Sequence, residues 1–266
     1  MKQLVVTLYI FLFACFVSPA FAQPVIPGHA HNDYLNKPAL FEALDAKLVS
    51  VEADVHFMKG DLYVAHVRPL WRNKKRSLEN LYLKPLFNHI EKNNGNVYAN
   101  YDNPFYLMID FKGGSVKMYN RLIELLEKYN SILTTMEDGI LKKGAVTVFL
   151  SGSRPYEAVM KSEPKLAFLD GRPNDIGKQI SSDLMPVISD HYKNHLSWDG
   201  KGEISEEQQL KLKELVSRVH AENKKLRLWA SPDNSNAWKT FKTFGIDFIN
   251  TDKPKKFADY FNEVSQ

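Results

Sequence analysis

Two histidines and two acids recur within a short stretch of the chain, in GHAHND at 28–33, SVEADVHF at 50–57 and LYVAHV at 62–67. Glu52 and Asp54 stand two apart in a β-branched run, so in a strand both side chains leave the same face. Carboxylates converging on one point suit a hard divalent cation. Imidazoles beside such a cation, His29 and His66, suit acid–base or nucleophilic attack on a phosphoester.

The elements that must hold these residues alternate along the chain. Strand-like apolar runs are expected at 25–28, 48–55, 105–111, 145–150, 166–169, 185–189, 226–230 and 246–250, with 62–67 returning on the second run as a hairpin after Lys59-Gly60-Asp61. Helical spacing appears between them, as in Tyr119, Leu122, Ile123 and Leu126, in Leu212, Leu215, Val216 and Val219, and in Phe257, Tyr260, Phe261 and Val264. Ser235 or Asn236 is expected to cap a helix beginning near Ala237. Strands alternating with helices over this length predict an α/β fold, a single-domain (β/α)8 barrel. A doubly wound sheet would favour a glycine-rich phosphate loop after the first strand, which Gly28-His29-Ala30-His31 is not.

In a barrel, catalytic groups stand at the C-terminal strand ends. His29, Glu52, Asp54, Asp110 with Lys112, Trp229 and Asp252 all fall there, and His66 ends the hairpin.

At these residues the chain resembles a known family. GHAHND, SVEADVHF, VAHV, IDFK, LWASPD and GIDFINTDKP follow, in order, the pattern of the glycerophosphodiester phosphodiesterase-like barrels, which also include bacterial-type phosphatidylinositol-specific phospholipases C and venom phospholipase D enzymes. The HND-Y, SVEADV and LYLKPL segments resemble the "altered inheritance of mitochondria protein 6" branch. The resemblance implies Glu52, Asp54 and Asp110 as the carboxylates that hold one Mg²⁺ or Ca²⁺ ion. It implies His29 as general acid and His66 as base or nucleophile, in roles that could exchange, and Lys112, Trp229 and Asn32 as phosphate- or substrate-binding residues. Ala30 after the first histidine, and Asp110 where a glutamate is usual, lean toward the phospholipase D-like branch. The implied reaction is hydrolysis of a small-molecule or phospholipid phosphodiester, with internal attack to a cyclic product open to a substrate that carries a neighbouring hydroxyl.

Other polar residues carry weaker signals. His31 reads as a ligand, a hydrogen-bonding neighbour or a turn residue. His56 reads as a loop histidine past its strand end. Ser151, Asp170 and Arg172 read equally as substrate contacts or loop caps, and His191 as a pocket-lining group. His89, His195 and His220 read as surface or helix residues. Two rivals stand beside the diesterase: a zinc amidohydrolase-type barrel using His29-Ala30-His31, and a catalytically silent binding module. The first lacks the expected lysine and histidine after strands four and five, and it leaves three carboxylates unexplained.

Residues 1–22 read as a Sec signal peptide, with Lys2, an apolar stretch over 4–17 and small residues before Gln23. This predicts a secreted or periplasmic domain over 23–266. A lipoprotein anchor at Cys15 fits less well, because Phe13 suits a lipobox poorly. A formal net charge of +4 is too mild for a nucleic-acid partner. The dense basic run Arg68, Arg72, Lys74, Lys75 and Arg76 beside His66 is expected to attract phosphate or an anionic membrane surface. A monomer is expected.

Overall fold

Alternate side chains of Phe105–Phe111 serve two different environments. Tyr106 and Met108 join Phe149, Phe168, Val187 and Phe248 in one apolar cluster. Leu107, Ile109 and Phe111 belong to the larger core packed against the helices. That two-sided burial is what a parallel strand inside a layer of helices requires, and the computed structural model shows it around a whole barrel.

The structure describes residues 25–264. The signal-peptide reading and Cys15 lie outside them. Among the described residues no helix is long and apolar enough to cross a membrane.

The strands are β1 (Ile26–Ala30), β2 (Leu48–Met58), β3 (Asp61–Val64), β4 (Phe105–Phe111), β5 (Thr135–Glu137), β6 (Ile140–Lys142), β7 (Val146–Gly152), β8 (Phe168–Gly171), β9 (Val187–His191), β10 (Lys225–Trp229) and β11 (Ile249–Thr251). The helices are α1 (Phe41–Asp45), α2 (Lys84–Lys92), α3 (Val116–Glu127), α4 (Tyr156–Lys161), α5 (Glu206–His220), α6 (Ser235–Phe244) and α7 (Pro254–Val264). The main sheet runs β10-β9-β8-β7-β4-β2-β1-β11 with parallel neighbours, and a parallel bridge between Arg227 and Phe248 brings its two edges together. The chain is a nearly closed eight-stranded parallel barrel in one domain, as the alternation predicts.

Two departures from the sequence reading have physical causes. β2 continues through His56 to Met58 because β3 pairs antiparallel with its end, Val55 with Val64 and Met58 with Asp61. His56 is therefore a buried strand residue, not a loop histidine. The cap of α6 is Asn234, whose Oδ1 accepts from Ala237 N at 3.0 Å, one residue before the earlier of the two expected caps.

α7 closes over β1 at Gly28. A Cβ there would collide with the Leu48 side chain and lie 2.8 Å from Phe257 Cε1. Gly28→Ala should therefore destabilise the domain by about 1–3 kcal/mol through overpacking. Urea denaturation monitored by tryptophan emission measures this, and an unchanged midpoint would refute the close approach.

Candidate active site

The inward face of β2 carries Ser50, Glu52 and Asp54, and strand pairing sets Asp54 beside Asp110 of β4 and Asp110 beside Ser151 of β7. Below them, Met108, Phe149, Phe168, Val187 and Phe248 plug the barrel. The polar residues thus form a layer between an apolar floor and the C-terminal mouth. A cavity of about 320 Å³ opens over this layer, lined by His31, Asn32, Glu52, His66, Asp110, Lys112, Ser151, Gly152, Arg172, Arg227 and Trp229. A larger cleft of about 490 Å³ lies elsewhere, around Tyr106, Lys225 and Phe248, away from these carboxylates.

Oxygens of Glu52, Asp54 and Asp110 lie within 4.8 Å of one another, and this is the one group among the described residues with metal-ligand spacing. Oxygens about 2.3–2.6 Å from a shared hard cation would have this separation. Asp54 supplies a second sign. Its Oδ2 meets Tyr34 Oη at 2.8 Å, His66 Nδ1 at 3.0 Å and Lys112 Nζ at 3.0 Å, while its buried Oδ1 has no partner. An unpartnered buried carboxylate oxygen is costly unless something else satisfies it. Lys112 also reaches Asp110 Oδ2 at 3.2 Å.

Burial alone would raise the Glu52 carboxyl. The Arg227 guanidinium and the His29 hydrogen bond outweigh it and hold Glu52 down at about 2. Arg227 comes from β10 across the barrel, donating from Nη2 to Glu52 Oε2 at 2.8 Å and from Nε to Asn250 Oδ1 at 2.9 Å. Asp110 is pushed above the usual carboxylate range, first by burial and then by its acidic neighbours, with Lys112 opposing.

The three histidines of the motifs occupy different places. His29 is fully buried in the polar layer, with Nδ1 2.8 Å from Ser50 Oγ and Nε2 3.4 Å from Glu52 Oε2. Burial, reinforced by Arg227, pushes its imidazole down to about 3, so the ring is neutral and the contact with Glu52 is no ion pair. His29 does not line the cavity. His31 does, because two residues further along an extended chain is one layer higher, roughly 6.6 Å. Its ring is 32% exposed, and Nδ1 lies 2.8 Å from Asp252 Oδ1. His66 is placed by the β2–β3 hairpin, which brings the chain back to the level of Asp54, where Ala65 N donates to Asp54 O. In both His31 and His66 a carboxylate takes Nδ1–H, which fixes the tautomer with the lone pair on Nε2; at His31 that nitrogen meets Asn32 Nδ2 at 3.2 Å. His29 and His31 both approach Glu52 Oε2, at 3.4 and 4.0 Å from Nε2, and neither belongs to the carboxylate group with metal-ligand spacing.

Asn32 sits in the left-handed region at φ 49° and offers Nδ2 to the His31 ring at 3.2 Å from Nε2. The Tyr34 hydroxyl lies 2.6 Å from Asn32 Oδ1, so its one proton serves either Asn32 or Asp54 at a time. Trp229 is partly exposed at the mouth, edge-on to His191 at 4.3 Å between ring centres. Gly152, at φ +64°, passes so close to Asp110 that a Cβ would overlap its Oδ1.

Sequence reading missed Arg227, Ser50 and Tyr34, and left Arg172 undecided. A charged residue two before Trp229 in LRLW, and a serine two before Glu52, were the available signals. Arg172 is held by Asp170 Oδ2 and Gly171 O, both at 2.8 Å. Asp170 in turn accepts from Ser151 and Ser189, each at 2.6 Å. These bonds stiffen a guanidinium on the cavity wall opposite the β1 loop.

Residues 21–170 match the AIM6-like phosphodiesterase domain. The chain belongs to that family. It is 25% identical to an altered inheritance of mitochondria protein 6 homolog from Arthroderma benhamiae, over 89% of this chain and 84% of the relative. It is 27% identical to the Eremothecium gossypii protein over 84% of this chain, but spans only 66% of that relative's length. The fold matches a glycerophosphodiester phosphodiesterase from Parabacteroides distasonis at TM-score 0.54 and 13% identity, covering 92% of this chain and all of the other. It also matches an Oleispira antarctica phosphodiesterase in complex with the product sn-glycerol-3-phosphate, at TM-score 0.52 and 13% identity, over 90% and 97% of the two chains. The chain therefore carries a phosphodiesterase domain on a barrel shared with glycerophosphodiester phosphodiesterases.

Asp33 anchors the loop that carries Asn32 and Tyr34. Its Oδ2 accepts from Leu40 N at 2.6 Å and Tyr82 Oη at 2.8 Å, while its buried Oδ1 has no partner. Burial pushes this carboxyl up to about 6. A raised carboxyl contributes stability that is fully present below its unfolded value and is lost as pH rises through the folded one. Asp33→Asn should therefore gain on the native chain between about pH 4 and 6, levelling at an advantage on the order of 2–3 kcal/mol above pH 7. Urea midpoints at pH 4.5, 6 and 8 measure the difference, and a difference independent of pH would refute the assignment.

Proposed function

We propose that the domain hydrolyses a glycerophosphodiester or phospholipid-type phosphodiester, with Glu52, Asp54 and Asp110 holding one Mg²⁺ or Ca²⁺ ion and His31 and His66 moving the protons. The observation that carries this reading is that His31 and His66 each have Nδ1 pinned by a carboxylate, beside the carboxylate cluster. The sequence expectation gave the first role to His29. Its sealed position and depressed basicity instead suit a support for Glu52, and the role passes to His31.

A bound hard cation supplies charge neutralisation at a phosphate oxygen. The protein does the rest. Lys112 presents a second positive group to the phosphate, anchored against Asp54 and Asp110. With Nδ1 held by a carboxylate on each ring, the ring that starts neutral accepts a proton at Nε2 from an attacking oxygen, or attacks directly, while the other, starting protonated at Nε2, gives that proton to the leaving oxygen. Asp252 and Asp54 steady the imidazolium that forms on either ring. Trp229 gives the leaving portion a flat apolar wall, and Asn32 holds the His31 ring. The glycerol phosphate bound to the Oleispira protein makes glycerophosphodiesters the first substrates to try, and the apolar stretch at 4–17 supports export of the domain.

His31→Ala and His66→Ala should each lower turnover by about 10²–10⁴-fold with divalent-ion affinity retained, read by phosphorus NMR of product and by calorimetric titration of the ion. His29→Ala should lower the melting temperature as well as activity. Equal loss of ion affinity in His31→Ala would overturn the assignment.

EDTA should abolish turnover, and Mg²⁺ or Ca²⁺ should restore it. Gly152→Ala, which drives a methyl group into Asp110, should weaken ion binding at least tenfold in the same titration. Full activity in EDTA would refute the carboxylate site.

A further inference from the structure

The segment after His66 does not bury what it could. Val67, Leu70 and Trp71 are 76%, 89% and 74% exposed, within five consecutive positions. Scattered exposed apolar residues need no explanation, but an apolar group rimmed by charge marks a contact surface. Here the rim is of one sign. Arg68, Arg72, Lys74 and Lys75 are exposed, no acidic residue occurs from Val67 to Ser77, and none of the four makes an ion pair among the described residues.

This loop is a built feature. Arg76 Nε donates to Val64 O at 3.1 Å, the buried Ser77 bridges to Tyr63, and Asn73 caps the turn Lys74–Arg76 by accepting from Lys75 N at 3.0 Å. Both ends are thus tied to β3, and the apolar tip projects from a fixed base. Its first residue, Val67, follows His66, which lines the cavity. A further exposed apolar residue, Leu35 at 66%, is next in the chain to Tyr34, whose hydroxyl lies 3.3 Å from His66 Nδ1.

We infer that the Val67–Lys75 loop, with Leu35, docks the barrel mouth onto an anionic phospholipid bilayer. Tryptophan and leucine enter the interfacial region while arginine and lysine meet the headgroup charge. A second copy of the chain is disfavoured as occupant, since it would set these cations against each other. A soluble anion would use the cations but leave the three apolar side chains in water. The inference rests on the placement of His66 at the mouth and not on its chemical role, and binding is read without turnover.

The test is vesicle flotation of the full chain with neutral phosphatidylcholine vesicles and with vesicles containing 30% phosphatidylglycerol, at low and high salt. The paired variants Leu70→Ser/Trp71→Ser and Arg72→Glu/Lys74→Glu are compared, and every protein keeps the same N-terminal stretch. The native chain should bind anionic vesicles more tightly than neutral ones and weaken as salt rises. The apolar pair should lose at least tenfold in binding. The charge pair should lose more than tenfold on anionic vesicles only, since each basic side chain near such a surface contributes about fivefold. The apolar pair should still cleave a soluble diester at the native rate. Brominated lipid should quench the native emission more than that of Trp71→Phe. Native affinity in both paired variants, equal binding to neutral vesicles, or lipid-free self-association abolished by Leu70→Ser/Trp71→Ser would each overturn the inference. Loss of turnover with lipid binding intact would count against the catalytic reading alone.

Discussion

Three carboxylates share less than 5 Å at the mouth of this barrel, and much of the remaining site is arranged around keeping them there. Like charges so close repel by on the order of 3 kcal/mol per pair at an effective dielectric near 20. Burial of Glu52 and Asp54 removes most of the water that would relieve them. The chain answers with cations drawn from different strands. Arg227 reaches from β10 to Glu52, and Lys112 bridges Asp54 and Asp110 from just past β4. Neither satisfies Asp54 Oδ1, and the remaining deficit is shaped like a small hard ion.

From that cluster the imidazole positions follow by period-two arithmetic. β1 pairs with β2 so that His29 lies beside Ser50, one layer below the mouth, and the next inward residue is His31. A histidine in the lower layer is walled off by Phe248 and Glu52 and serves as a neutral ring bridging Ser50 and Glu52. A histidine in the upper layer brings its ring to the cavity. The hairpin performs the equivalent task for His66: β2 overshoots the barrel, turns at Lys59 and Gly60, and returns far enough for His66 to lean on Asp54. Asp54 thereby couples the candidate ion site to one imidazole, while Asp252, outside that site, holds the other ring from the opposite edge of the sheet.

These relations explain what could be read from the residues alone. All eight barrel strands were legible, because a strand buried on both faces leaves a mostly apolar run. Glu52 and Asp54 were legible as a pair because period two sets them on one face of that run. The choice between His29 and His31 was not, since both share a face and one residue of register decides which layer each occupies. Arg227 was hidden by its partners: a guanidinium inside an apolar strand makes sense only once Glu52 and Asn250 are seen across the barrel. β5 and β6 were invisible because strands of three residues are too short to carry a usable period. Of the loop after His66, the charge could be read but not the exposure of Leu70 and Trp71.

The charges of the mouth are ordered by depth, and that order bears on how an anion could reach the site. At the floor the carboxylates outnumber Arg227 and Lys112, so a phosphodiester approaching without a cation in place meets net repulsion. Midway up the wall Arg172 offers a guanidinium already oriented by Asp170. Outside the rim, Arg68, Arg72, Lys74 and Lys75 stand in water with no acidic partner among the described residues. A positive rim above a negative floor draws anions to the entrance while the floor draws cations, and the two fields meet where His31 and His66 stand. Neutralising the floor therefore has a double effect: it removes the barrier to the phosphate and leaves the rim's attraction unopposed. The hard-ion site and the basic loop, distinct in sequence and in structure, act on the same approaching charge.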